Sequence, residues 1–252
     1  VITTDAQPTA TSAQISDSIF GTSGDLVNLK SQYEGCSDNK ITITPATGTG
    51  TACADDPNFL GFFQFPSGNY ADCDWFTTFQ SINPTTCTTN GNNADLGGGT
   101  ETGNNSCCAC GGGTTSAYNN NVVDGVFEIN VAVAASSLTS SQLEDVAINE
   151  LESQFGSSNL EDQFELVILC LPPGTTDGAW VAYAGLPGFV SVYNDDACLY
   201  PSVQMHEVGH NMGLTHSADN TDAVVEYGDR TGMMGISYFI DDGPLQAKMC
   251  FK

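Results

Sequence analysis

The spacing of the histidines constrains this chain more than any other feature of its sequence. All 3 histidines lie between residues 206 and 216. His206 and His210 are four residues apart, so a helix would present both imidazoles on one face. Gly213 can adopt a left-handed conformation that ends the helix and turns the chain so that His216 meets the same ion. Because a catalytic zinc takes three protein ligands and keeps one position for water, the spacing predicts a zinc site made of His206, His210 and His216.

Glu207 lies directly beside the first of these histidines. Zinc lowers the pKa of a bound water and polarises a carbonyl group. A carboxylate fixed next to the ligands by the helix itself can accept the proton of that water and pass it to a leaving amine. The sequence therefore predicts metal-assisted hydrolysis of an amide bond, with Glu207 as the general base.

The 10 cysteines indicate disulfides and therefore a secreted or extracellular protein. Six of them lie between residues 53 and 110 in a stretch rich in Gly, Asn and Thr, and these six permit about 15 pairings. We interpret residues 51–113 as a disulfide-stapled insertion in a catalytic domain made of residues 1–50 and 114–252. The remaining four cysteines should form two bridges in that domain: Cys36, Cys170, Cys198 and Cys250.

The cysteine-rich segment also concentrates aromatic residues: Phe59, Phe62, Phe63, Phe65, Tyr70, Trp75, Phe76 and Phe79. Small disulfide modules need such anchors for their own core, which is one interpretation. A binding face for cell-wall or matrix glycoproteins is the other. Asn104 begins an Asn-Asn-Ser sequon and is the candidate glycosylation site.

The charge balance excludes several partners. With 5 basic and 30 acidic residues, the formal net charge is -25, so nucleic acids and anionic membranes would repel the chain. The acidity is compatible with Ca²⁺ binding, but no calcium motif is present. No apolar run is long enough to span a membrane. The chain begins at Val1 without an initiator methionine, so we expect a removed N-terminal segment.

Residue periodicity predicts the elements around the motif. Helices are expected over residues 25–33 and 139–155, the second capped by Thr139 and ended by Gly156. Strands are expected over residues 40–44, 122–133, 164–171, 180–183 and 189–193. A further helix should follow Pro201 and carry the first two histidines.

The segment from His206 to His216 resembles the zinc-binding consensus of the metzincin metalloproteases, and residues 227–235 resemble their Met-turn. Met234, followed by Gly235, is the expected Met-turn methionine, with Met233 as the alternative. Residues 204–217, 226–229 and 31–37 are most similar to the gametolysin family of algal wall-lysing proteases. The resemblance covers about three quarters of the chain and excludes residues 51–113.

The resemblance implies an α+β fold whose upper subdomain has a twisted, mostly parallel sheet, an active-site helix and a Met-turn. Its catalytic domain would extend beyond Cys250, so we expect the domain to be incomplete here. The implied activity is that of a secreted zinc endopeptidase that binds extended protein or peptide substrates and cleaves extracellular or cell-wall glycoproteins. The alternatives are a secreted adhesive or structural protein that keeps the fold and zinc without proteolysis, and a zinc hydrolase of small amides.

Overall fold

The chain combines short helices with small sheets, which confirms the α+β class. The computed structural model describes residues 1–47, 49–54, 59–65, 70–73, 75–76, 85–93, 96, 102–110, 114–119, 122–157, 159–218, 225–229 and 232–235. The chain divides into two compact units. The histidine unit comprises Val1–Gly48, Asn120–Leu151 and Phe164–Lys252, and the cysteine-rich unit comprises Thr49–Asn119 and Glu152–Gln163. The assignment of residues 51–113 as an insertion in a catalytic domain stays a prediction.

Two N-terminal helices, Ser12–Phe20 and Leu29–Cys36, belong to the histidine unit. The first is capped by Thr11. The second begins four residues later than predicted, because Asn28 caps it and its side chain accepts a hydrogen bond from the Ser31 backbone N–H at 2.9 Å. Leu26, which lies within the predicted helix, precedes the cap and is 86% exposed.

The predicted helix over residues 139–155 is confirmed as Ser140–Phe155. The Gln142 backbone N–H donates to Thr139 Oγ1 at 3.2 Å, and the Thr139 N–H donates to Gln142 Oε1 at 3.0 Å, which is a reciprocal capping box. Leu143 and Ala147 of the predicted apolar stripe are fully buried. Gly156 follows with a φ of 66° and ends the helix as expected.

Three strands form the main sheet of the histidine unit. The strands are β5 Val167–Leu171, β6 Ala182–Ala184 and β7 Val190–Asn194, close to the predicted positions. The central strand β7 pairs with β5 in parallel and with β6 antiparallel. A second parallel pair joins β1 Ile2–Thr3 to β4 Ile129–Asn130. Parallel pairing therefore predominates among the described strands of this unit.

Two predicted strands are wrong. Within residues 122–133, Asp124 and Gly125 have φ angles of 50° and 80° and form a tight turn, closed by reciprocal backbone hydrogen bonds of 2.9 Å between Val123 and Val126. Only β4 remains of the long strand. Residues 40–44 form no strand either, because their isoleucines pack against the core without a strand partner.

The core of the histidine unit surrounds the helix Pro201–Asn211, which we call the motif helix. Tyr33 and Tyr193 are fully buried, and their hydroxyls donate to backbone carbonyls of this helix, those of Met205 at 3.0 Å and Gln204 at 3.4 Å. The Cys170–Cys198 disulfide joins the end of β5 to the turn that precedes the helix. These contacts fix the motif helix from several sides.

The cysteine-rich unit contains an antiparallel pair, β2 Thr49–Ala54 with β3 Thr114–Asn119, and the short helices Thr86–Asn90 and Gly103–Ser106. Disulfides join Cys73 to Cys107 and Cys87 to Cys110. Each cysteine whose side chain is described is disulfide-bonded, including Cys36 and Cys108. Phe79, Cys250 and the Cys53 side chain lie outside the described residues.

Most described aromatic side chains of this unit form its own core. Phe59 and Phe76 are buried, and Phe62 and Trp75 pack against them. The Trp75 ring contacts the Phe62 and Phe76 rings edge to face, at centroid distances of 5.5 and 5.2 Å. Phe63 remains 50% exposed. This packing favours the structural interpretation of the aromatic residues over an open binding face.

No helix in the described part of the chain has the length and apolar character needed to cross a membrane.

Candidate metal centre

The motif helix positions two of the predicted ligands and the predicted base. It begins with Pro201 at its first turn, where the missing N–H costs nothing, and it carries His206, Glu207 and His210. His206 is 1% exposed and Glu207 is 4% exposed, whereas His210 at the last turn is half-buried. The helix therefore directs His206 and Glu207 into the interior.

Gly213 ends the helix and reverses the chain. Its φ is +87°, and no atom outside its neighbours lies within 4 Å of the place where a Cβ would be. The Gly213 N–H donates to the His210 carbonyl at 2.8 Å and the Leu214 N–H donates to the Gly209 carbonyl at 3.0 Å. This pair of bonds is a Schellman motif. Gly213 thus ends the helix as predicted. The position favours glycine because of its left-handed backbone conformation, and not because a larger side chain would clash with neighbouring atoms.

The three histidines converge. Each offers one ring nitrogen, and these atoms lie within 4.8 Å of one another. The Nε2 atoms of His210 and His216 are 3.1 Å apart. Two nitrogens bound at about 2.0–2.1 Å to a tetrahedral zinc would be about 3.4 Å apart, so this separation needs little adjustment. The residues present therefore fit a metal ion with nitrogen ligands.

Hydrogen bonds to the ring nitrogen Nδ1 orient the imidazoles of His206 and His210. Nδ1 of His206 lies 2.9 Å from the Met233 carbonyl oxygen, and Nδ1 of His210 lies 2.7 Å from the Leu214 carbonyl oxygen. A carbonyl can only accept a hydrogen bond, so both rings carry their proton on Nδ1 and their lone pair on Nε2. This is the tautomer that a metal-binding histidine requires.

Burial also sets the charge state of the site. It lowers the pKa of His206 to about 4 and lowers the pKa of His210, so both rings are neutral and able to act as ligands near neutral pH. The same loss of solvent raises the pKa of Glu207 to about 7. A carboxyl group with such a pKa exchanges protons readily near neutral pH, as a general base must.

The third candidate ligand, His216, follows the motif helix on a segment without helix or strand, and residues 229 and 234 contact this segment. The Ser217 N–H donates to the Met234 carbonyl at 2.9 Å, and the Asp229 N–H donates to the Ser217 carbonyl at 3.1 Å. A Cβ at Gly235 would lie 1.6 Å from the Asp229 carbonyl oxygen, so this close approach requires glycine. Backbone contacts between distant residues therefore place the segment that carries His216.

Both candidate Met-turn methionines are buried, Met233 at 1% and Met234 at 7% exposure. Met233 belongs to the core cluster, and its carbonyl accepts from His206. Met234 contributes its carbonyl to Ser217. The assignment of Met234 as the Met-turn methionine stays a prediction.

Two residues at the site had no role in the sequence analysis. Glu226 Oε1 lies 2.6 Å from His216 Nδ1. The Tyr227 ring centroid lies 3.8 Å from that of His216. Both residues fall in a stretch that resembled the gametolysin family, but their sequence separation from His216 gives no sign of contact.

Asn104, the glycosylation candidate, lies in the short helix Gly103–Ser106 rather than in a loop. Its side-chain Nδ2 donates to Asn92 Oδ1 at 2.9 Å, and Ser106 of the sequon is buried. Glycosylation at Asn104 stays a prediction.

Comparison with protein families places most of the chain in a known family. The model of the gametolysin peptidase M11 family matches residues 67–250. The match contains all three histidines and Glu207, and it starts inside the segment that we interpreted as an insertion. Residues 31–37, which also resembled the family, lie outside it. Searches of curated proteins and of solved structures give no match.

Proposed function

The chain belongs to the gametolysin peptidase M11 family, and from this we propose that it is a secreted, zinc-dependent endopeptidase of the metzincin type. Membership makes it a metallopeptidase that acts on proteins or peptides. The observation that carries the finer proposal is the convergence of His206, His210 and His216, each with Nδ1 held by an acceptor. That donor set suits zinc, which binds neutral imidazole in catalytic sites.

Glu207 is the proposed general base. When bound, zinc would supply Lewis acidity toward the scissile carbonyl and toward water. The motif helix places Glu207 directly after His206, and the Glu207 side chain is buried away from solvent. Glu207 would take a proton from the attacking water and deliver it to the leaving amine, which restores the carboxylate after each cycle.

Each imidazole would keep its orientation through the cycle because its Nδ1 is engaged by an acceptor, a backbone carbonyl for His206 and His210 and the Glu226 carboxylate for His216. We assign Met234 as the Met-turn residue, which would form an apolar floor below the histidines. This role involves packing alone and no bond to the metal.

The disulfides in both units fit a protein of an oxidising, extracellular compartment. We therefore propose extracellular or cell-wall proteins as substrates. The aromatic core of the cysteine-rich unit gives no support to a purely adhesive function, because Phe59, Phe62, Trp75 and Phe76 pack against one another.

Cleavage of extended peptide libraries, measured before and after chelation, tests the proposal. We expect cleavage that stops on chelation and returns with zinc. Glu207→Gln should lower kcat by about 10²–10⁴-fold while one zinc per chain is retained, since general base catalysis contributes that much. Glu165→Gln is the matched control, because it makes the same chemical change at an exposed position. Cleavage that survives complete metal removal would refute the proposal.

A further inference from the structure

Glu226 differs from the other groups that hold the histidines. His206 and His210 use backbone carbonyls, whereas His216 uses a carboxylate, at 2.6 Å from Glu226 Oε1 to His216 Nδ1. The Glu226 side chain is 69% exposed, and the His216 side chain is 24% exposed. An exposed glutamate could adopt many conformations, so its contact with one ring nitrogen needs a local cause.

The local backbone supplies that cause. Tyr227 has a φ of +61°, a left-handed conformation that costs a non-glycine residue about 1–2 kcal/mol. With this geometry, two consecutive side chains reach the same imidazole: Glu226 contacts its edge, and the Tyr227 ring covers its face at 3.8 Å between centroids. The Tyr227 ring also lies 6.2 Å from the His206 ring, nearly parallel to it. Such strain is typical of functional positions.

We propose that Glu226 is a positioning residue that fixes the tautomer and the orientation of His216 for metal binding, while Tyr227 restrains the plane of the ring. The inference rests on the proposed zinc site. A carboxylate that accepts from Nδ1–H leaves the lone pair on Nε2 and makes that nitrogen a stronger donor. The contact thus compensates for the looser, loop-borne position of the third ligand.

The carboxylate contributes more than a neutral acceptor would. Removal of an outer partner of a metal-bound histidine lowers metal affinity by about 10–100-fold. Glu226→Gln keeps an acceptor oxygen and loses the charge, and Glu226→Ala loses both. We therefore expect zinc affinity to fall in the order wild type, Glu226→Gln, Glu226→Ala, with the last near the upper end of that range.

Zinc dissociation constants of the metal-free full chain, obtained by competition with a chromophoric chelator, test the proposal. Glu165→Gln is again the control, since it changes the net charge equally at an exposed site of the same unit. Dissociation constants of both Glu226 variants within about twofold of that control would overturn the inference, because the expected loss is at least about tenfold. Failure of the wild type to bind zinc would instead overturn the proposed function.

The chemical shifts of the histidine ring nitrogens in the metal-free protein provide a second test. These shifts would not change if Glu226 only stabilised the fold. The chain has only 3 histidines, so the His216 signals can be assigned by difference. We expect His216 to carry its proton on Nδ1 in the wild type and to become a mixture of tautomers in Glu226→Ala. The His206 and His210 signals should stay unchanged, because carbonyls hold those rings. An unchanged His216 signal in Glu226→Ala would contradict the assigned role.

Discussion

The two kinds of candidate ligand in this site are positioned by different physics. His206 and His210 stand on one helix, where a spacing of four residues fixes their relation and where burial restricts both rings. His216 stands outside the helix, and its position depends on a glycine turn, on backbone contacts with residues 229 and 234, and on Glu226. One half of the site is therefore encoded by local sequence, and the other half depends on contacts between distant residues.

Removal of one ligand from each half gives the largest expected effect. Zinc sites with four ligands bind with about 10–16 kcal/mol, so the loss of one ligand should cost about 3–4 kcal/mol, or about 10²–10³-fold in affinity. We expect this for both His206→Ala and His216→Ala, measured by chelator competition. Retention of wild-type affinity in either variant would remove that histidine from the ligand set.

The same two variants should differ in the stability of the metal-free protein. His206→Ala deletes a buried ring and leaves the Met233 carbonyl without its donor, which should cost about 1–3 kcal/mol in the free energy of unfolding. His216 is partly exposed and its Nδ1 contacts the exposed Glu226, so His216→Ala should cost less, about 0.5–1 kcal/mol. Equal losses in denaturant unfolding would contradict the division between the two halves.

This division also explains what the sequence could predict. The placement of His206, Glu207 and His210 on one helix and the turn at Gly213 follow from short-range rules, and the structure has both features. The contact between Glu226 and His216 joins residues ten positions apart in the sequence, and no periodicity or capping rule describes such a contact. The contacts of residues 229 and 234 with Ser217 were hidden for the same reason.

The predicted helices and strands show the same limit, because local signals could be predicted and pairing between distant residues could not. Helix Ser140–Phe155 and strand β5 were predicted because a cap or a proline marks their ends. The long strand over residues 122–133 was wrong because β-branched residues outweighed the turn signal of Asp124-Gly125. Residues 40–44 have the alternation of a strand, but a strand forms only where a partner offers its backbone, and the sequence does not reveal partners.

The turn between the two halves gives the next largest effect. Gly213→Ala forces a side chain into a left-handed conformation and should cost about 1–2 kcal/mol. Gly178→Ala is a matched control, since Gly178 has a φ of +82° and similarly open surroundings. Both variants should lose comparable free energy in thermal or denaturant unfolding.

Zinc affinity separates these two glycine variants. It should fall in Gly213→Ala, because the turn directs His216 toward the helix-borne ligands, and it should stay at the wild-type value in Gly178→Ala. Gly213→Asn should be milder than Gly213→Ala, since asparagine tolerates the left-handed region. If Gly213→Ala loses stability but keeps full zinc affinity, the position of His216 does not depend on this turn.

The smallest effect concerns the end of the motif helix. Asn211 Nδ2 donates to the Val190 carbonyl at 2.8 Å and lies 3.4 Å from the Gly185 carbonyl, so it ties the helix to the loop between β6 and β7. Asn194 is the matched control position elsewhere in the sheet, because the Asn194 Nδ2 also donates to a backbone carbonyl, that of Trp180, at 2.9 Å. In the described part of the chain, the buried Oδ1 of each asparagine has no hydrogen-bond partner.

Asn211→Ala and Asn194→Ala should each lower the free energy of unfolding by about 1 kcal/mol, because either variant loses the hydrogen bonding of one side-chain amide. Zinc affinity should stay within about twofold of the wild type in both, since the backbone hydrogen bonds of the helix keep His206 and His210 in register without help from the loop. A much weaker zinc site in Asn211→Ala, but not in Asn194→Ala, would mean that the helix-borne ligands also depend on distant contacts. The distinction between a locally encoded half and a distantly encoded half would then fail at His210, the ligand that adjoins Asn211.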